Sequence, residues 1–378
     1  MVGCQAWQLL GAVCRSRDPD EATACLERAW RTAVRNGLRI EEIHALIRLG
    51  SDDALRDGSV DRLEQVSRLP SQAGALTARY LADANIALQA VLRGDDVTAQ
   101  TLLDEVLEAT VRLRLVETTQ YALMVRPSSA PTEATGAKWR PRWRTCAAGV
   151  ATTRRTPRGC TAWCALLEEN RPRALRELCV ALAAEQESLS IFQLTGRYGL
   201  DLLLRVLDDT ADRGEYQSIA EAPVSSLRWN RQFTLFAGAV LDGREGHPVA
   251  ALDSVAAAMR AGAPYPGARH LGLRLVSEAA VADGWGTPVD WLRSAEQHFH
   301  DRGVPAVASA CRALLRQAGV PVAQHRRGQH DIPSRLRSYG ITVREHEVLR
   351  LLADRLAARA SCPDGPEIRR WRGRMGWS

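Results

Sequence analysis

Residues 18–38, DPDEATACLERAWRTAVRNGL, decide the fold class of this chain. The apolar residues of this segment recur at three- and four-residue spacing, and they are Ala22, Leu26, Ala29, Trp30 and Ala33. That spacing places them on one face of an amphipathic helix. Asp18 or Asp20 can cap the amide groups at the start of this helix, and Gly37 can end it. The segment therefore predicts a helix that buries one side.

Further segments of the N-terminal third repeat this pattern. They are residues 40–58, 75–94 and 94–115, the last with Asp95 or Asp96 as its cap. Paired helices of this kind bury their apolar faces against neighbouring pairs and stack into a solenoid. Because the spacing between the units is irregular, we predict an all-α, tetratricopeptide-like helical-repeat region over residues 1–125 without a strict repeat.

Residues 126–160 interrupt the helical pattern with a basic, proline- and arginine-rich stretch. The segment holds four prolines and eight basic residues against one acidic residue, Glu133. The rest of the chain carries a net charge of −1, although the whole chain carries +6. Three interpretations stay open: a shifted reading frame, a plain irregular loop, or a nucleic-acid patch in which Trp139 and Trp143 stack on bases among the arginines.

Helical periodicity returns over residues 161–320, which we interpret as the second half of the helical-repeat region. Pro288 is expected at a helix start and Gly303 at a helix end. Residues 321–340 follow as a polar linker with basic clusters, and residues 341–378 form the last segment.

Composition and motifs argue against several classes of protein. The only lysine, Lys138, is followed by Trp139, so the chain has no P-loop, and no hydrolase or metalloprotease motif occurs. The nine cysteines form no C-x-x-C pair and are interpreted as reduced, mostly buried thiols. No apolar run reaches membrane-spanning length. We therefore expect a cytoplasmic protein that is not an enzyme, with no catalytic residue, no cofactor, no metal site and no membrane partner.

Two groups of titratable residues have a structural interpretation. His298 and His300 lie two residues apart on a predicted helix and point to different faces, so they are interpreted as surface histidines rather than metal ligands. The acidic pairs at residues 52–53 and 208–209 are interpreted as caps and charges that complement helix dipoles.

The segment ITVREHEVLRLLAD, residues 341–354, begins another capped helix. Thr342 is a good N-cap, and Glu345 three residues later completes a capping box. An apolar stripe follows at helical spacing, formed by Val348, Leu349, Leu352 and Leu356. The residue choice in this segment resembles the "T-x-R-E-x-E-V-L-x-L-L-A" start of the LuxR-type helix-turn-helix. In addition, residues 265–322 and 17–38 look like parts of the helical sensor region of large actinobacterial LuxR-family regulators.

That resemblance implies a transcription regulator whose helical repeats sense a protein or small-molecule effector and whose last domain binds DNA. The matching residues lie in the first helix of the motif, so no base-reading residue is assigned. Thr342, Arg344 and Arg350 are the candidate DNA contacts, in the first helix and to phosphates only. A homo-oligomer is a further state that the resemblance allows.

The pattern of the family breaks after Asp354. Residues 355–378 match neither the second helix nor the recognition helix, and they are punctuated by Pro363, Gly365, Pro366, Gly373 and Gly376. We therefore expect a fragment of such a regulator, truncated at both ends, with a partial helix-turn-helix and with sequence-specific DNA reading lost. The alternative is a helical-repeat interaction module that does not bind DNA.

Overall fold

A computed structural model gives the fold of this chain. It describes residues 1–14, 17–68, 75–125, 158–187, 199–322, 345–346 and 348–349. All regular secondary structure in these ranges is helical, which confirms the predicted all-α class. Two compact units divide the chain, Met1–Val320 and Pro321–Ser378.

The first seven helices belong to the N-terminal third of the first unit. They are α1 (Val2–Cys14), α2 (Pro19–Arg35), α3 (Arg39–Arg56), α4 (Asp61–Ser67), α5 (Ala75–Arg93), α6 (Asp96–Arg112) and α7 (Val116–Val125). From α1 to α6, each helix packs against the next one in the chain, and α3 and α5 also contact each other. This packing in adjacent pairs is that of a helical-repeat fold.

In its described ranges, the first unit contains nine further α-helices and one 3₁₀ turn. They are α8 (Arg158–Leu167), α9 (Arg171–Glu187), α10 (Leu200–Leu207), α11 (Arg213–Ala220), the 3₁₀ turn Pro223–Ser226, α12 (Arg228–Arg244), α13 (Pro248–Ala261), α14 (Pro266–Asp283), α15 (Pro288–Asp301) and α16 (Pro305–Gln317). α8 packs on α9, and α12 packs on α10, α13 and α14. α14, α15 and α16 then pack in succession.

Local sequence signals explain where several helices begin and end. The Asp18 carboxylate accepts hydrogen bonds from the amides of Asp20 and Glu21 and so caps α2, and Asp95 caps α6 through the amide of Thr98. Pro288 begins α15 as expected, because its fixed φ and missing N–H suit the first helical position.

Glycines in left-handed conformation follow the helices that the sequence predicts to end there. Gly37 after α2 has φ 64°, and Gly303 after α15 has φ 66°. Glycine adopts this conformation without the steric cost that a Cβ atom adds.

Buried residues form the core of the helical repeats. One cluster joins α5, α6 and α7, and a second joins α3, α4 and α5. In the second half, Trp229 makes edge or tilted contacts with Trp163, Phe233 and Tyr265 at ring-centroid distances of 5.3–5.7 Å. Cys4, Cys25 and Cys311 are buried free thiols, and Cys164 is also buried.

Two sequence-based predictions need correction. α8 begins at Arg158, inside the segment 126–160 that was expected to be irregular; residues 126–157 lie outside the described part. Residues 52–53 lie in the last two turns of α3, where a negative charge does not complement the helix dipole, so the cap interpretation is wrong for them. Asp53 instead pairs with Arg62 at 3.3 Å.

The described part of the chain contains no helix that is long and apolar enough to cross a membrane. In the second unit, residues 345–346 and 348–349 are helical. Val348 and Leu349 are exposed there, at 56% and 44%.

Candidate functional site

Two parts of the first unit that are far apart in sequence meet at a polar surface, here called the seam. One side consists of residues 54–58 and 93–96, at the ends of α3 and α5. The other side consists of residues at the start of α12, the start of α14 and the end of α15, among them Arg228, Tyr265 and Arg302. Leu55, Val224 and Leu227 form a small apolar cluster at this contact. The Tyr265 hydroxyl donates a hydrogen bond to the carbonyl oxygen of Ala54 at 3.2 Å.

Arginines bind the carbonyl groups that the ends of α3 and α5 present at the seam. Arg228 donates to the Asp57 carbonyl at 3.0 Å, Arg93 to the Gly58 carbonyl, and Arg302 to the Gly94 carbonyl at 2.6 Å. The last carbonyls of a helix lack intrahelical partners and carry its negative dipole end, so cations are favourable there. Arg228 and Arg302 therefore hold the two sides together, whereas Arg93 joins the ends of α3 and α5 within one side.

Glycine is required at one of these contacts. Gly94 has φ 79°, and a Cβ atom at this position would lie 2.8 Å from a terminal nitrogen of Arg302. The absence of a side chain lets the guanidinium reach the backbone. Arg302 also pairs with Asp96 at 3.1 Å.

Arg269 differs from the other arginines at the seam. It lies on α14, four residues after Tyr265, so the two side chains are neighbours on the same helix face. Its Nε–H is buried without a hydrogen-bond partner, and its guanidinium makes no ion pair with any residue that the structure describes. The Nε–H of Arg93 is likewise buried and without an acceptor in the described ranges. An orphaned buried donor of this kind costs free energy.

Two histidines stack beside these arginines. The rings of His270 on α14 and His298 on α15 are nearly parallel, with centroids 4.2 Å apart and an angle of 6°. His270 Nδ1 lies 2.7 Å from the Pro266 carbonyl oxygen. Because His298 is half-buried and stacked on another ring, its interpretation as a surface histidine is wrong.

Burial and neighbouring cations keep both histidines neutral. Burial lowers the pKa of His298 to about 4, and His270, Arg302 and Arg269 add to the effect. Burial also lowers the pKa of His270, against the opposing hydrogen bond to Pro266. The seam therefore joins several fixed positive charges with two neutral imidazoles that accept protons only in acid.

A second polar cluster has a structural role. The guanidinium of Arg274 on α14 is 6% exposed and lies 3.0 and 2.6 Å from the two carboxylate oxygens of Glu169. Glu278 bridges Arg274 and Arg171, and Arg171 pairs with Asp208 at 3.2 Å. The network joins the turn before α9 and the end of α10 to α14. Asp208 is the C-cap residue of α10, as its position at a helix end predicts, and its carboxylate also takes part in this ion-pair network.

A third cluster has ligand types suited to a metal ion. Atoms of Asp242, Glu245 and His247 lie within 4.8 Å of one another. The guanidinium of Arg213 already neutralises this group, at 2.8 Å from Asp242 and 2.6 Å from Glu245. Arg213 also holds the pKa of Glu245 below its usual value. The guanidinium of Arg213 thus already balances the negative charge of both carboxylates.

The candidate DNA contacts predicted from sequence stay a prediction. Thr342, Arg344 and Arg350 lie outside the described residues. Sequence reasoning missed the seam, because its partners are up to 211 residues apart and their arginines follow no motif. Comparison of the chain with protein-family models, with curated proteins and with solved structures found no match in any of the three.

Proposed function

We propose that this chain belongs to a LuxR-type transcription regulator, with the helical repeats as its sensor region. The observation that carries the proposal is the division of the chain at residue 320, which separates the helical repeats from the unit that contains the LuxR-like segment. The residues of that segment that the structure describes, at 345–346 and 348–349, are helical, as the first helix of the motif requires.

The exposure of Val348 and Leu349 adds support from packing. Apolar residues on one face of a short helix need a partner surface, because a lone three-turn helix is marginal in water. In a helix-turn-helix domain, the second and third helices supply that surface.

DNA selection tests this proposal. The chain, which offers no match to a recognition helix in residues 355–378, is expected to bind duplex DNA without sequence preference and with an affinity that falls steeply as salt increases. A second protein, in which residues 355–378 are replaced by the alternative reading frame of the gene, is expected to prefer a selected site over random DNA by roughly a thousandfold or more.

Two outcomes would contradict the proposal. A selected site that the present chain prefers by that factor would refute the assignment of residues 355–378. An alternative frame that encodes no "T-V-x-x-H" helix, or a frame-restored protein that shows no preference, would remove the support for a regulator.

A second candidate function is protein interaction through the helical repeats, and α1 favours it. This helix contains no charged residue, and Val2, Leu9 and Val13 are exposed along one face at 76%, 66% and 48%. An uncharged stripe can pack against the same stripe of a second copy without repulsion. Sedimentation of the chain and of Leu9→Glu over a range of concentrations tests this, and a concentration-independent monomer would refute it.

A further inference from the structure

We propose that the outer face of α13 is a self-association surface, which pairs antiparallel with the same helix of a second copy of this chain. α13 packs on α12, and its buried residues Ala251, Val255 and Ala258 share one side of the helix. The opposite side is exposed from Val249 to Arg260. This surface is separate from the exposed stripe of α1, and the inference does not depend on DNA binding.

The exposed side of α13 is apolar except for two charges. Val249 and Leu252 are 72% and 40% exposed, and Ala256 is exposed between the two charged residues. The solvated face of a helix is usually rich in charged and polar side chains. In contrast, Asp253 and Arg260 are the only charged residues of α13. Contiguous exposed apolar residues of this kind indicate an interaction surface.

The two charges lie on the same side of α13, two turns apart. The seven-residue step from Asp253 to Arg260 places them about 20° apart around the helix and about 10 Å apart along its axis. At this spacing they do not pair within their own helix, because partners on one helix lie three or four residues apart. Neither side chain makes an ion pair with any residue that the structure describes.

This charge pattern is complementary to itself when two copies meet antiparallel. A two-fold axis that crosses α13 between Ala256 and Ala257 places Asp253 of each copy opposite Arg260 of the other. Every contact across such an axis occurs twice, so two ion pairs form together. A parallel arrangement would place like charges opposite each other, which is unfavourable. The pattern therefore favours the antiparallel arrangement.

Short side chains at the centre of the pair permit close approach of the two helices. Ala256 and Ala257 lie at the axis, and with such residues two helices can pack at an axial distance of about 8 Å. Val249 of each copy then covers the end of the other helix, where Ala263 is exposed. The apolar contacts supply attraction, and the two ion pairs fix the register and the direction.

A second copy is the occupant that these residues favour over a different protein. A different partner would have to present an apolar helix face with opposite charges two turns apart, and α13 itself has this face. Because one helix from each copy contributes a small buried area, we expect a weak dimer whose population depends on concentration.

The test measures association of the full chain by sedimentation velocity over a range of concentrations. Low ionic strength is used, because salt screens exposed charges. We expect an equilibrium between monomer and dimer. Asp253→Arg and Arg260→Asp each turn both ion pairs into repulsive contacts, so each should weaken dimerisation about tenfold or more. Both residues are exposed, and circular dichroism shows whether each variant keeps its helices.

Mixing the two variants tests the antiparallel register directly. Asp253→Arg pairs with Arg260→Asp through two attractive contacts, so an equimolar mixture should associate although each variant alone does not. The double variant with both substitutions should recover the dimer by itself. Arg293→Asp is the control, since Arg293 is exposed on α15 and gives the same change in net charge outside α13. Leu9→Glu, which alters α1, should also leave this dimer unchanged.

Several results would overturn the proposal. They are a chain that stays monomeric at every concentration, a Arg260→Asp variant that dimerises as well as Arg293→Asp does, and a mixture that associates no better than its separate components. A dimer that Leu9→Glu abolishes and the α13 variants leave intact would refute this surface and support α1 instead. Rescue in the mixture and in the double variant would establish that Asp253 and Arg260 face each other across the two copies.

Discussion

Arg274 is a charged residue whose side chain is buried between two carboxylates. Its guanidinium is almost fully removed from solvent and is held by Glu169 and Glu278. Burial alone would raise the pKa of Glu278, but the charges of Arg274 and Arg171 hold it below its usual value. Burial also raises the pKa of Glu169, against the opposing charge of Arg274. The charges of this network compensate one another, so the loss of one leaves its partner partly buried without a counter-charge.

Arg274→Met should therefore destabilise the protein by about 3 kcal/mol or more, because it leaves two carboxylates partly buried without their shared cation. The matched variant Arg171→Met should cost less, since Arg171 is more exposed than Arg274 and leaves Glu278 paired with Arg274. Denaturant unfolding of both variants measures the difference. Equal losses would show that burial of the guanidinium is not what matters.

His298 gives the stability of the protein a defined pH dependence. Its pKa is about 4 in the folded chain, against 6.5 as the ordinary value. Between these values the unfolded chain binds more protons, so stability should fall as the pH is lowered from 6.5 to 4. The contribution of this half-buried residue should be about 2 kcal/mol at most.

The variant His298→Gln cannot take up this proton and should flatten that part of the stability profile. Urea unfolding between pH 7 and pH 4 measures the profile of both proteins. His300→Gln, changed on the same helix two residues away, is the control. Parallel profiles for His298→Gln and the wild type would contradict the burial of a neutral imidazole at this position.

At the scale of a helix, α14 contains two glycines with opposite environments. A Cβ atom at Gly272 would lie 2.2 Å from Cε2 of Phe236, a fully buried ring on α12. A Cβ atom at Gly267 would meet nothing within 4 Å. Gly272 thus permits the close packing of α14 on α12, whereas Gly267 has room for a side chain.

Gly272→Ala and Gly267→Ala should consequently change stability in opposite directions. Gly272→Ala should destabilise by about 1–3 kcal/mol, because the added methyl group displaces Phe236. Gly267→Ala should stabilise by about 0.5–1 kcal/mol, because alanine loses less conformational entropy in a helix. Thermal or denaturant unfolding shows the sign of each change, and stabilisation by Gly272→Ala would exclude the proposed close contact.

At the scale of the whole molecule, the seam couples helices that are distant in sequence. A solenoid in which each repeat touches only its neighbours unfolds by local steps. Here the ends of α3 and α5 also contact α12, α14 and α15. We expect this extra contact to make the opening of α3 depend on residues of α14.

Tyr265→Phe tests that coupling by removing one hydrogen bond across the seam. The change should cost about 1 kcal/mol and should speed amide hydrogen exchange at residues 54–58, some 200 positions away in the chain. Tyr216→Phe is the control, because the Tyr216 hydroxyl makes no hydrogen bond to α3 in the described part of the chain. Unchanged exchange at residues 54–58 in Tyr265→Phe would mean that the two sides open independently.

Local physics in the sequence alone determined the helical class and many helix ends. Apolar residues at helical spacing predict α2 and α6, and Asp18, Gly37 and Pro288 mark where helices begin or end. Such signals can be read because the groups that satisfy one another lie within four residues. The first turn of the LuxR-like segment is a signal of the same kind.

Which polar groups meet depends on how the helices pack, and no local pattern predicts it. Tyr265 binds the backbone of Ala54, Arg274 binds Glu169, and Arg302 binds Gly94, at separations of 211, 105 and 208 residues. An arginine on an amphipathic helix has the same sequence signature whether it faces water, caps a distant helix or lines a ligand site. Its role depends on the burial and charge of its neighbours, which exist only after the helices have packed.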